Sequence, residues 1–257
     1  MIRVKDAMNS CNIERKTRLA IGTPWDSPFC WRKPMESIIR LTCAFRRQDW
    51  ELDFFMGHGV MPARRHADLC EQAVAWGADL ILILGADQTY SPDMIERLVQ
   101  RWEQVGGHGI IAAMVPMRGY VNWQPMAPFQ PMAWRSPDAW AEVDGQPSLI
   151  QRTDGDFVRA NIIGTGVVLF SARLLDHFQK PWFYERVDPE SMHRVADMDS
   201  NFIGRLQHET GTPLYVDTTI LVKHCHDFEI DDTFQHRFAD WADPTTPGLD
   251  SSIIRFQ

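Results

Sequence analysis

Residues 78–93, Ala78-Asp79-Leu80-Ile81-Leu82-Ile83-Leu84-Gly85-Ala86-Asp87-Gln88-Thr89-Tyr90-Ser91-Pro92-Asp93, decide how the rest of the chain is read. The run Leu80 to Leu84 is aliphatic on both faces instead of alternating, which predicts a central strand of a mainly parallel sheet covered on both sides. Past a short turn, Ser91, Pro92 and Asp93 supply an N-cap, a first-turn proline and a first-turn acid. Ile95, Leu98, Val99 and Trp102 then form one stripe, and Gly106-Gly107 ends the helix. A buried strand, a turn bearing a carboxylate and an amphipathic helix follow one another within thirty residues.

The flanking segments repeat this alternation. Upstream, Arg18 to Thr23 reads as a strand closing on Pro24, and Trp50 to Met56 as a second, with Met35, Ile38, Ile39 and Thr42 at helical spacing between them. After Pro62, a helix with Ala63, Ala67, Cys70 and Val74 on its inner face is expected to stop at Gly77. Downstream, Ile110 to Val115 is a further buried strand. Residues 116–147, rich in proline, tryptophan and methionine, read as long loops and short edge strands suited to substrate contacts. Residues 157–170 are extended but interrupted at Gly164-Thr165-Gly166, where backbone approaches a ligand or a strand bends. A short helix over Arg173–Phe178, a helix over Asp197–His208, a turn at Gly211-Thr212-Pro213 and a strand over Leu214–His224 complete the pattern. The expected fold class is α/β, a Rossmann-like, mainly parallel central sheet with helices on both faces. The expected organisation is an arm over 1–17, a single domain over 18–228 and a tail or flap over 229–257.

Composition bounds the function. With 257 residues, 44% hydrophobic and 23% charged, the chain is far from the disordered class. A net charge of −8 disfavours binding to bulk nucleic acid. Of 26 basic residues only Lys5, Lys16, Lys33, Lys180 and Lys223 are lysine, and the arginine excess favours carboxylate or phosphate ligands. The cysteines, Cys11, Cys30, Cys43, Cys70 and Cys225, are odd in number and scattered, which suits reduced structural thiols. The first residues lack the apolar core of a secretory signal, and no apolar run approaches the ~18 residues of a membrane span, so a cytoplasmic location is expected.

Several residues are candidates for chemistry. Asp87 follows the C-terminal end of the central strand, where open sheets bind ligands; it either holds a divalent cation against a diphosphate or shapes the turn. Asp197 starts a helix and reads as its N-cap. Asp199 shares the apolar stripe of Phe202, Ile203 and Leu206, an expensive place for a charge, and serves either as a general base or in a buried hydrogen bond. His224 continues the inward parity of Leu214, Val216, Thr218, Ile220 and Val222, as a metal ligand or a core histidine; His226 shares that parity. Trp123 and Trp182 lie in loop-like stretches where rings either stack on a sugar or base or pack in the core. Arg64 and Arg65 begin a helix and suit a phosphate or plain solvation.

The order of these pieces resembles glycosyltransferases of the GT-A fold, in particular a family-2-like group of phage and bacteria, over roughly Arg18 to His226. Residues 78–93 look like that family's strand, Asp-x-Asp metal site and following helix. Gly164 to Phe170 is similar to its glycine-containing strand, and Asp199 to Leu206 through His224 to its base helix and late histidine. The resemblance implies an inverting transfer from a nucleotide-sugar donor, UDP-linked by expectation, to an acceptor hydroxyl on a glycan, a protein or a modified nucleic-acid base. Asp199 is then the base, Asp87 and His224 hold Mn²⁺ or Mg²⁺, and Thr23, Pro24, Arg64 and Asp87 meet the donor. Trp123, Gly166 and Trp182 are assigned to the acceptor side. Two positions depart from the pattern: Gly85 stands where the first aspartate is usual, and Met198 where a glutamate commonly precedes the base. Gly85 also suits a rival reading, an inactive nucleotide- or partner-binding module. A nucleotidyltransferase is disfavoured by the lack of a glycine-rich, lysine-bearing loop after the first strand.

Overall fold

Leu80, Leu82 and Leu84 feed one hydrophobic core and Ile81 and Ile83 another, because successive side chains of a strand point to opposite faces. The computed structural model describes residues 15–25, 32–116, 120–121, 124–125, 132–135, 148–177, 179–225 and 229–230. Its main elements are β1 (Thr17–Pro24), α1 (Arg32–Ala44), β2 (Trp50–Gly57), α2 (Pro62–Trp76), β3 (Leu80–Leu84), α3 (Met94–Gln104), β4 (Ile110–Met114), β5 (Phe157–Ala160), β6 (Val167–Ser171), α4 (Met198–Thr210) and β7 (Leu214–Leu221).

These strands form one seven-stranded sheet in the order β5-β7-β4-β6-β3-β1-β2. β1, β2, β3, β4 and β7 run one way, while β6 is antiparallel to both β3 and β4, and β5 to β7. Helices α2 and α4 cover one face through Leu69, Cys70, Ala73, Phe202, Ile203 and Leu206. Helices α1 and α3 cover the other through Ile38, Leu41, Met94, Ile95, Leu98 and Val99. The fold is thus the mixed α/β, mainly parallel sheet that the alternation predicts. β3 is an interior strand, buried throughout.

Local signals set the helix ends. Gly77 closes α2 in the left-handed region (φ 80°), its amide donating to Val74 O and that of Ala78 to Ala73 O. Asp197 caps α4, its carboxylate accepting from the Ser200 amide at 2.7 Å. Two details differ from the sequence expectation. Asp93, not Ser91, occupies the α3 cap position and makes no side-chain cap bond; the Met94 amide donates to the Ser91 carbonyl, so Pro92 and Asp93 form a turn ahead of the helix. On α2, Cys70 of the expected stripe is buried and Ala63 and Ala67 pack against the same core, whereas Val74 is exposed; His66, Leu69 and Ala73 complete the buried face. Leu69 lies against β1 at Gly22, where a β-carbon would sit 2.4 Å from Leu69 Cγ.

Candidate functional site

The C-terminal ends of β1 and β3 and the start of the antiparallel β6 share one edge of the sheet, and most of the candidate residues gather there. β3 leaves the sheet at Gly85, whose amide donates to Gly166 O at 2.7 Å, so the turn before β6 is tied to the turn after β3. Residues Gln88–Thr89 pair antiparallel with Lys223–Cys225, with His224 opposite Gln88, which brings the end of the β7 segment against the Asp87 turn. The Cys225 amide donates to Asp87 O at 2.7 Å and fixes this approach.

His224 is 7% exposed, but not by the parity of one strand. β7 ends at Leu221, and a register shift between Asp217 and Leu221 leaves Leu214 and Val216 in the core under α2 and α4 and moves Ile220 and Val222 to the core under α1 and α3, with His224 in a separate strand over Lys223–Cys225. Its Nδ1 lies 2.9 Å from Pro116 O and its Nε2 3.2 Å from Asp87 Oδ2. A carbonyl only accepts, so Nδ1 carries a hydrogen. Nε2 serves the Asp87 carboxylate in one of two ways, as the donor of an imidazolium–carboxylate pair or as a lone pair that shares a cation with it. Their separation suits adjacent ligands of a six-coordinate ion with bonds of about 2.1 Å. The second nitrogen held by a backbone carbonyl is the usual support of a metal-binding imidazole. Among the described residues no group of three or more histidine, cysteine or carboxylate side chains is close enough to enclose an ion.

Asp199 sits in the first turn of α4, half-buried. Its Oδ1 accepts from Thr165 Oγ1 at 2.7 Å and its Oδ2 from the Thr165 amide at 3.3 Å. Thr165 is the residue before Gly166, so Asp199 is anchored beside the turn that touches Gly85. An ionised carboxylate has about four acceptor directions, and these two bonds leave others open.

Gly85 and Gly166 have a joint explanation. The buried Gln88 side chain lies between them: a β-carbon would come within 2.6 Å of Gln88 Nε2 at Gly85 and 2.4 Å at Gly166. No aspartate fits at position 85 while Gln88 fills this slot. Gln88 Oε1 and the hydroxyl of Thr23, both buried, have no hydrogen-bond partner among the described residues. Thr23 and Pro24 end β1, next to β3 in the sheet.

Arg64 and Trp182 lie elsewhere. The Arg64 guanidinium is half-exposed and paired with Asp68 and Glu71, so its charge is already matched on the surface of α2. Trp182 is 7% exposed and belongs to the core under α4, with the Lys180 ammonium 4.6 Å from its ring centre; it packs in the core instead of offering a free face to a sugar. Trp123 and His226 lie outside the described residues. Gly166 acts through its lack of a side chain, by admitting Gln88. A recess of about 340 Å³ borders the start of α4 at Arg186, Arg194, Asp197 and Ser200; Asp87, Asp199 and His224 are not part of its wall. Cys70 and Cys225 are buried and outside any disulfide, and burial pushes Cys70 upward, away from thiolate chemistry. No helix among the described residues is long and apolar enough to cross a membrane.

Sequence reasoning passed over His66 and Gln88. His66 is 6% exposed on the inner face of α2, with Nδ1 2.9 Å from Pro62 O and Nε2 3.1 Å from Thr165 Oγ1. Burial pulls its pKa down, against the charge of Asp199 and the Pro62 carbonyl, so the ring is held neutral. A histidine three residues after Ala63 and four before Cys70, on an otherwise apolar stripe, is the signal that was there to find. For Gln88 the signal was weaker: one polar side chain in a turn, with nothing local to show that two glycines enclose it.

No protein-family model and no curated protein matches the chain. Among solved structures, the crystal structure of A197 from STIV is similar with a TM-score of 0.51 and 11% identity, over 85% of this chain and 91% of that one. A UDP-glucose pyrophosphorylase from Acinetobacter baumanii overlaps with a TM-score of 0.37 and 8% identity, over 70% of this chain and 57% of that one. At such identities the A197 likeness establishes the fold alone, and the second overlap adds nothing to it: the chain is a mixed α/β protein whose sheet is flanked by helices.

Proposed function

We propose that the protein is an inverting glycosyltransferase that moves a sugar from a nucleoside-diphosphate donor, UDP by expectation, to an acceptor hydroxyl. The observation that carries this reading is the facing of Asp87 Oδ2 and His224 Nε2 at 3.2 Å beside the turn that anchors Asp199. The donor set, one carboxylate oxygen and one imidazole nitrogen with open positions, suits Mn²⁺ or Mg²⁺. When bound, such an ion neutralises charge that develops on a departing diphosphate. Asp199 takes the acceptor proton as the acceptor oxygen attacks the anomeric carbon: the O–H bond breaks, a C–O bond forms, and the bond to the diphosphate leaves with its electron pair. Thr165 holds the carboxylate in place for this step. Thr23 and Pro24, at the end of β1, are assigned to the nucleotide part of the donor.

Calorimetry with UDP and a panel of nucleotide sugars, with and without Mn²⁺, tests the reading together with donor-hydrolysis and transfer assays. Metal-dependent UDP binding that is lost in His224→Ala, with turnover of at least one donor, is the expected result. Failure to bind any nucleotide with or without the ion overturns it. Binding with no turnover identifies instead a nucleotide-holding module without chemistry, the alternative that Gly85 favours.

A further inference from the structure

Thr165 has a single hydroxyl proton and two acceptors for it, His66 Nε2 at 3.1 Å and Asp199 Oδ1 at 2.7 Å. The His66 ring cannot turn to relieve this without giving up its bond to Pro62, since a carbonyl requires the hydrogen to be on Nδ1. With Asp199 ionised and His66 neutral, one of the two contacts must set lone pair against lone pair. The chain of groups is one proton short. In a buried setting that deficit is costly, and a helix face needing only to pack has no use for it.

We propose that His66 is a positioning residue for Asp199: through the Thr165 hydroxyl it offers the terminal acceptor that lets Asp199 hold a proton, so that the three side chains accept a proton as one unit. The inference deepens the transferase reading and rests on it for the source of that proton. When the acceptor O–H breaks, the proton forms a carboxyl O–H on Asp199. On the oxygen that faces Thr165, this O–H donates to Oγ1, and the Thr165 hydroxyl turns to donate to His66 Nε2. The Thr165 amide stays on the other oxygen, and every contact is then a proper hydrogen bond. No charge reaches His66.

The surroundings agree with this direction. Burial keeps His66 neutral and therefore an acceptor. Arg65, next to it on α2, also opposes a charge on the ring. From the segment beside α4, the Phe183 ring packs 5.2 Å from the imidazole and stacks on Phe202, so that side presents no titratable group. Among the described residues, the carboxylate whose charge acts on the ring is that of Asp199 on α4.

His66→Leu preserves the bulk beside Phe183 and removes the terminal acceptor. The Thr165 hydroxyl then serves Asp199 alone, and the ionised form gains. The acid limb of the kcat/KM profile moves down by about one pH unit, with kcat lowered near neutrality and the donor KM unchanged. Thr165→Ser, which keeps the hydroxyl, leaves the acid limb at its wild-type pH whatever its turnover. An unmoved limb in His66→Leu overturns the proposal. A second measurement is independent of turnover: ¹⁵N NMR of the His66 ring in wild type and Asp199→Asn. In the variant the amide donates to Thr165 and the hydroxyl donates to Nε2, so the Nε2 resonance of the neutral ring moves upfield, and adding Thr165→Val, which leaves the change of charge in place, reverses the move. An Nε2 resonance that does not move, or that moves equally in both variants, also overturns the proposal. If wild type turns over no donor, the NMR comparison still decides this inference, while the transferase reading falls by itself.

Discussion

Asp199→Asn separates the catalytic and the structural work of one carboxylate, because the two make opposite predictions. The amide has the shape of the carboxylate and removes its charge. Its oxygen accepts from the Thr165 amide, now 3.3 Å from Oδ2, and its NH₂ donates to Thr165 Oγ1, now 2.7 Å from Oδ1. The Thr165 hydroxyl is thereby free to donate to His66 Nε2 at 3.1 Å. The variant gains a hydrogen bond that the ionised wild type lacks, about 1 kcal/mol net. For a chain of this size that raises the melting temperature by about 2–4 °C. Turnover moves the other way: without a base at position 199, kcat falls at least ~100-fold, near 2.7 kcal/mol of barrier, while donor affinity stays near wild type. Differential scanning calorimetry, a transfer assay and UDP titration measure the three quantities. Equal turnover would remove the base assignment. A melting temperature several degrees below wild type would refute the hydrogen-bond assignment.

Other consequences follow from the same geometry. Gly85→Asp, which restores the missing acid of the resembled motif, drives its β-carbon to 2.6 Å from Gln88 Cδ; thermal stability falls and nucleotide affinity does not rise, and Gln88→Ala added to it recovers stability. His224→Ala abolishes the Mn²⁺ dependence of UDP binding in calorimetry, and retained dependence would remove His224 from the metal site. Arg101→Met costs about 2 kcal/mol in denaturant unfolding, since Arg101 Nε holds the buried Asp217 carboxylate of β7 at 2.7 Å while the Thr219 amide still supports it. Acid unfolding should have two stages. His66, held below its ordinary pKa by burial, takes a proton more readily in the unfolded chain, so stability falls as the pH drops below about 6.5. For Asp217, burial acts upward, but the Thr219 and Arg101 hydrogen bonds outweigh it and hold the carboxyl below the usual range. Its contribution, full above about pH 4, is lost as the pH falls through that lowered value. A melting temperature flat from pH 7 to 4 would contradict the first stage.

The sequence by itself determined what depends on near neighbours. The aliphatic run of β3 announced an interior strand, Gly77 a left-handed helix end and Asp197 a cap. Each is a property of a few consecutive residues, through backbone conformation or side-chain period. The placement of Asp199 on the inner stripe of α4 was legible for the same reason, but its partner was not. Thr165 lies 34 positions away and His66 a further 99 from Thr165, and periodicity says nothing about contacts at that range. The tertiary structure alone decided that Arg64 is matched by Asp68 and Glu71, that Trp182 joins the core, and that Gln88 takes the slot between Gly85 and Gly166. Local preference selects which way a side chain points; only the packing of helices on the sheet selects what it meets, and a proton shared among three residues from α2, the turn before β6 and α4 exists only once those pieces are docked.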